Sequence, residues 1–216
     1  MPMLPDDVKE QVKEAFADIE TPVKLINFTQ TLECMYCRET RELLQEIAAL
    51  SDKVSVEVHN FVTDPEPVKG YAIDKIPATA IVGETDYGIR FYGMPAGYEF
   101  TSLVYAIRLV GGVGSQLDDE TRDKVAAIDE PLHLQVFVTP TCPYCPQAVA
   151  LSYEMAYTNP HVRADGIESS EFPQLTVKYQ VAGVPRTVIN EDTFLEGAAA
   201  PDMLLEKIGE ALDGAE

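Results

Sequence analysis

Thr139-Pro140-Thr141-Cys142-Pro143-Tyr144-Cys145 follows the apolar run Leu132 to Val138, and its echo Thr29-Gln30-Thr31-Leu32-Glu33-Cys34-Met35-Tyr36-Cys37 follows Val23 to Phe28. Each opens an amphipathic segment, so each cysteine pair is predicted where a strand hands over to a helix. Backbone N–H groups and the positive end of the dipole at a helix N-terminus favour the thiolate, the form that attacks disulfides. Two cysteines three apart on a first helical turn share a face and come near disulfide geometry. The pairs are therefore read as dithiols that open and close.

The setting repeats with the motif. Pro77 follows Cys34 by 43 positions and Pro185 follows Cys142 by 43, both at an offset of 108. Ile76-Pro77-Ala78-Thr79-Ala80-Ile81 matches Val184-Pro185-Arg186-Thr187-Val188-Ile189. A repeat of this length is a duplicated domain and not a solenoid unit. Two units are predicted, 1–115 and 116–216, divided at Gly111-Gly112-Val113-Gly114-Ser115.

Outward from the dithiols, Asp6 or Asp7 should cap a helix to about Ile19, stopped by Pro22. Helices are expected from Cys34 to about Leu50, near Val68 to Tyr71 and from Tyr98 to Val110. Strands are expected at Val23 to Phe28, at Val54, Val56 and Val58 by alternation, up to Val82, and from Tyr87 to Tyr92 across a turn at Glu84 to Asp86. The second half repeats this order: helix Asp118 to about Ile128, strand Leu132 to Val138, helix Cys142 to about Tyr157, a strand near His161 to Ala164, helix near Phe172 to Tyr179, strands Thr187 to Asn190 and Thr193 to Glu196, and helix Pro201 to Leu212. The fold class is α/β, each unit a mixed four-stranded central sheet flanked by helices.

Bulk properties narrow the function. The four cysteines all lie in the two pairs, so none remains to staple the fold. A four-cysteine zinc site would draw on two such knuckles, but these are over 100 positions apart where a ribbon spaces them by about 20. The formal net charge of −20 argues against nucleic acid and anionic membranes as partners; it suits solubility and also adaptation to high salt. Met1 to Asp7 lacks the basic start of a signal peptide, and Arg108 interrupts the longest apolar stretch, so a cytoplasmic location is expected.

The order helix, strand, helix, strand, helix, strand, strand, helix, with Cys-X-X-Cys after the first strand and an apolar residue and proline before the third, resembles the thioredoxin fold. Two such units, one with Cys-Pro-Tyr-Cys, resemble the archaeal and bacterial protein disulfide oxidoreductases, glutaredoxin-like proteins of two tandem units. Tyr87-Gly88-Ile89-Arg90-Phe91-Tyr92-Gly93-Met94-Pro95-Ala96-Gly97 looks like that family's first-unit hairpin and helix start.

The resemblance implies that Cys34 and Cys142 attack and that Cys37 and Cys145 resolve the mixed disulfide; the chemistry of exchange independently requires an accessible thiolate first and a neighbouring thiol second. It also implies that Pro77 and Pro185 are cis-prolines opposite the dithiols, with Ile76 and Val184 offering main-chain contacts to a bound peptide. Tyr36 and Tyr144 are expected to shape the surface around the sulfurs. Arg186, where the first unit has Ala78, should bring a cation near Cys142, whereas Glu33 disfavours the thiolate of Cys34; Cys142 is therefore expected to have the lower pKa.

Phe28 and Val136 stand where thioredoxin keeps a buried acid, which leaves the proton acceptor for the resolving thiols unassigned. The implied activity is reduction, formation or isomerisation of protein disulfides, with no bound cofactor or metal. Electrons would come from a thioredoxin-reductase-type NADPH enzyme. The alternatives are a dedicated relay to a peroxiredoxin and a peptide-binding chaperone with incidental dithiols.

Overall fold

The computed structural model describes residues 3–214; Met1, Pro2, Ala215 and Glu216, the outer ends of the two expected units, lie outside the described residues. The first half runs α1 (Asp6–Ala15), β1 (Val23–Thr29), α2 (Cys37–Ala48), β2 (Val54–Asn60), α3 (Pro65–Gly70), β3 (Ala78–Val82), β4 (Ile89–Tyr92) and α4 (Glu99–Arg108). The second runs α5 (Asp119–Ala126), β5 (Leu132–Val138), α6 (Cys145–Thr158), β6 (Val162–Glu168), α7 (Pro173–Lys178), β7 (Arg186–Ile189), β8 (Thr193–Glu196) and α8 (Pro201–Asp213).

All eight strands form one sheet in the order β2-β1-β3-β4-β6-β5-β7-β8. The order 2-1-3-4 recurs as 6-5-7-8, with the first two strands of each set parallel and the rest antiparallel. The sets join where β4 pairs in parallel with β6, from Ile89 opposite Ala164 to Tyr92 opposite Ile167.

Helices α1, α2, α4, α6 and α8 bury one face of this sheet, with Val12, Leu44, Ile47, Leu103, Ile107, Val149 and Leu204 in a single apolar layer. The other face carries a smaller layer in which Phe28, Tyr92, Phe137, Phe172 and Tyr179 pack beneath the short helices α3 and α7. The apolar stripes at helical and strand spacing thus find their partners as the pattern requires.

The seam explains a difference that the repeat hides. β2 and β6 occupy corresponding places, yet β2 is an edge strand with Val58 exposed, whereas β6 is buried over nearly its whole length. Strict alternation in β2 therefore does not give a strictly alternating burial. The strand expected near His161 to Ala164 runs over Val162–Glu168 in the sheet interior. Its Asp165 tolerates full burial because His133 Nε2 lies 2.7 Å from Oδ2 and Arg163 Nε donates to Oδ1 at 3.0 Å. Gly166 leaves room where an added Cβ would meet Phe91 at 2.8 Å and the Tyr153 hydroxyl at 2.9 Å.

Three boundaries differ from expectation. Helix α1 ends at Ala15 with Phe16 at its C-cap, so Ile19 is buried from the following loop, and Pro5 rather than Asp6 or Asp7 occupies the N-cap. Cys34 and Cys142 precede their helices, whose first residues are Cys37 and Cys145. The glycine segment does not simply stop α4: Leu109–Val113 continues it as a π-turn that ends as Gly112 reaches φ 106°.

That segment is also tied down. The Gly111 carbonyl accepts N–H bonds from Glu20 at 2.7 Å and Thr21 at 3.0 Å. Beyond it, the Glu154 carboxylate accepts the Gln116 N–H at 2.8 Å and the hydroxyls of Ser115 and Tyr105.

Candidate functional site

Each cysteine pair sits at the C-terminal end of the second strand in its half of the sheet, as a disulfide with a Cα–Cα distance of 5.5 Å. Cys37 and Cys145 are buried at the helix starts, at 1% and 0% exposure, while Cys142 keeps 8% and Cys34 more. The outer sulfur is therefore the accessible one in both pairs.

Both Ile76-Pro77 and Val184-Pro185 peptide bonds are cis, and each proline carbonyl accepts an N–H at 2.8 Å, from Gly93 and Gly197 respectively. The Val184 carbonyl oxygen lies 3.7 Å from Cys142 Sγ. Ile76 lines a cleft together with Cys34 and Tyr36. Tyr36 and Tyr144 are exposed beside the sulfurs, and so are Met35 and Leu32. The structure thus brings Glu33, Cys34, Tyr36 and Ile76 together at the first dithiol and Cys142 and Val184 together at the second.

Arg186 begins β7, but its guanidinium pairs with Glu196 across the hairpin and stands over the Phe194 ring, 4.3 Å from its centroid. The cation expected near Cys142 is therefore one whose charge is shared with Glu196. Arg38 is likewise spent on Glu39, at 2.8 Å.

The dithiols differ in another way. Gly97, at φ 59°, packs so tightly on the loop before Cys142 that a Cβ would stand 2.2 Å from the Pro140 carbonyl oxygen, which accepts the Tyr98 N–H at 2.9 Å. The start of α4 thus braces the second dithiol. At the first, Glu33 adopts φ 57°.

Sequence reasoning singled out no buried acid, and the structure has one on α4. Glu99, in the first turn of α4, is fully buried; the Ser102 hydroxyl donates to Oε2 at 2.8 Å, and Oε1 has no partner. Burial pushes its carboxyl up to about 7, against which the Ser102 bond acts weakly. Helix α4 packs on α6, the helix that Cys145 opens. The overlooked signal was periodicity: Glu99, Ser102, Leu103 and Ala106 fall on one helical stripe, so the only carboxylate on it had to be buried. Glu168, buried near the first dithiol, and Glu171, half-buried beside it, offered no such pattern.

A thioredoxin-domain family model matches residues 132–209. The chain is 29% identical over 208 residues to the alkyl hydroperoxide reductase protein AhpF of Pseudomonas aeruginosa, covering 95% of this chain and 37% of that protein. It thus spans little more than a third of the length of the curated relatives it matches. Among solved structures it superposes on the NTD_N/C domain of the alkylhydroperoxide reductase AhpF from Enterococcus faecalis with a TM-score of 0.89 at 28% identity, covering 95% of this chain and 99% of that one. A protein disulfide oxidoreductase from Aeropyrum pernix K1 gives a TM-score of 0.91 at 26% identity, covering 97% and 94%.

Proposed function

Because the chain belongs to the thioredoxin-fold disulfide oxidoreductases, we propose that it exchanges disulfides with protein substrates at both dithiols, with Cys34 and Cys142 attacking and Cys37 and Cys145 resolving. The observation that carries this reading is the pairing of each disulfide, one sulfur accessible and one buried, with a cis-proline turn. The attacking thiolate displaces one substrate sulfur as a thiolate and forms a mixed disulfide. The resolving thiol then loses its proton and attacks the attacking cysteine's Sγ, which closes the protein disulfide and releases the second substrate thiol.

The two folding units are 1–115 and 116–216, and Ile76 and Val184 present backbone to an extended substrate beside Pro77 and Pro185. A cytoplasmic NADPH-dependent reductase of the thioredoxin-reductase type returns the two electrons. The likeness to the alkyl hydroperoxide reductase protein AhpF over 95% of the chain favours a second reading, a relay whose oxidant is a peroxiredoxin.

The test is equilibration in a graded thiol/disulfide buffer, with free cysteines mass-tagged and mapped. Two separable two-electron transitions support the exchange reading. Pairs that stay locked across the whole range, with peptide-holding activity surviving Cys34→Ser and Cys142→Ser, would leave only the chaperone alternative. Turnover by a purified peroxiredoxin far faster than by generic protein disulfides selects the relay.

A further inference from the structure

A cleft of about 550 Å3 opens beside the first dithiol, and its walls come from opposite halves of the chain. Glu33, Cys34 and Ile76 line one side; Glu168 and Glu171 line the other. Among the described residues, none of these three carboxylates forms an ion pair with Lys, Arg or His.

Glu168 is only 3% exposed. Its Oε2 accepts the Glu171 N–H at 2.7 Å, while its buried Oε1 has no hydrogen-bond partner. Glu171 is held in place by the Met94 N–H, which donates to Oε1 at 2.7 Å. Gly93 makes this seat possible, since a Cβ there would meet Glu168 Cβ at 2.7 Å and Glu171 Oε1 at 3.0 Å. Burial, helped by the charge of Glu168, pushes the Glu171 carboxyl up to about 7.

A buried carboxylate oxygen without a donor is costly unless a ligand supplies one. Glu168 is itself a lining residue of the cleft that opens on Cys34, so this unmet acceptor belongs to the wall of that site. We propose that this cleft takes the cationic side chain of a lysine or arginine flanking the substrate cysteine that Cys34 attacks, so that the first dithiol selects basic protein disulfides. The proposal rests on the exchange reading above. An extended substrate rises about 3.3 Å per residue, so a side chain one or two positions from the captured cysteine enters the cleft while the backbone lies along Ile76. The second dithiol has Thr141 where the first has Glu33, and its selectivity is set elsewhere.

The test uses the full chain carrying Cys142→Ser and Cys145→Ser, reduced at the first dithiol. Its substrates are three peptides identical except for one residue beside a cysteine held as a mixed disulfide with thionitrobenzoate: arginine, norleucine or glutamate. Attack on the peptide sulfur expels the coloured thiolate, Cys37 then closes on Cys34, and the peptide leaves as a thiol. The arginine peptide is expected to react roughly tenfold faster than the norleucine peptide, the worth of one charge-assisted hydrogen bond (about 1.4 kcal/mol), and the glutamate peptide to be slowest.

Glu171→Gln should bring the arginine-to-norleucine ratio close to one, and Glu171→Lys should invert the series. Either substitution alters the net charge of −20 so little that long-range steering cannot produce the change. Equal rates for all three peptides overturn the recognition site and leave exchange intact. A uniform slowing of the three by Glu171→Gln overturns it in favour of proton transfer. Failure of every peptide to react overturns both the site and the exchange reading.

Discussion

Replacing Glu99 by glutamine should make the oxidised protein more stable at pH 8 and no more stable at pH 4. The carboxyl is fully buried and ionises at about 7 in the fold against 4.5 for the ordinary group. The folded state therefore holds the proton more tightly than the unfolded state, and between these two values it binds more protons. Stability contributed by this group is then undiminished below about 4.5 and falls as pH rises toward 7.

The gap of about two and a half units, at about 1.4 kcal/mol each, is a cost of about 3 kcal/mol once both states are ionised. Glutamine removes the charge and keeps an acceptor for Ser102, but buries an amide without a partner, which returns about 1 kcal/mol. The net gain at pH 8 is about 2 kcal/mol, or roughly 4–8 °C in Tm for a chain of this size. Thermal melts followed by far-UV circular dichroism at pH 4, 6 and 8, with the disulfides intact, measure it, and the difference between the two proteins cancels every other titration. A variant that is equally or less stable at pH 8 would mean that Glu99 does not carry a buried charge there.

Other consequences are simpler to check. Gly97→Ala forces a left-handed backbone on alanine and drives a Cβ into the Pro140 carbonyl, so about 2–4 kcal/mol should be lost in urea melts, with the alkylation rate of Cys142 altered and that of Cys34 preserved. Asp165→Asn should cost about 3–5 kcal/mol at pH 7: burial alone would raise this carboxyl, but the bonds and charges of His133 and Arg163 outweigh it and hold it below its ordinary value. The contribution is present above the unfolded pKa and lost as pH falls, so the gap between variant and parent should narrow toward pH 3. In reduced protein, Cys142 should alkylate at lower pH than Cys34, because Glu33, Glu168 and Glu171 line the cleft at Cys34; superimposable pH profiles for the two peptides would refute it.

Much of the fold was legible because periodicity and punctuation agreed. Leu132–Val138 and Thr193–Glu196 form strands at the expected residues, and the 43-residue spacing found both cis-prolines. What failed depends on neighbours that no local pattern names. Val162–Glu168 looks too polar for an interior strand until β4 covers it and His133 and Arg163 meet Asp165. Glu168 and Glu171 are two of 36 acidic residues, distinguished only by a glycine 75 or more positions away that lets them in. The partner of Arg186 was hidden for the opposite reason: Glu196 lies only ten residues on, across a hairpin whose register sets the pair.

The parallel join of β4 to β6 has a consequence for what the chain is as an object. A single four-stranded half would present the outer row of β4 or of β6 to solvent, unpaired N–H and C=O groups over a buried, largely apolar strand. Such a row is a template for any other strand, including that of an identical half. Cut between β4 and β6, the two pieces would each expose an edge able to pair with the other or with a copy of itself. Through this join each half covers the strand edge that the other would leave open.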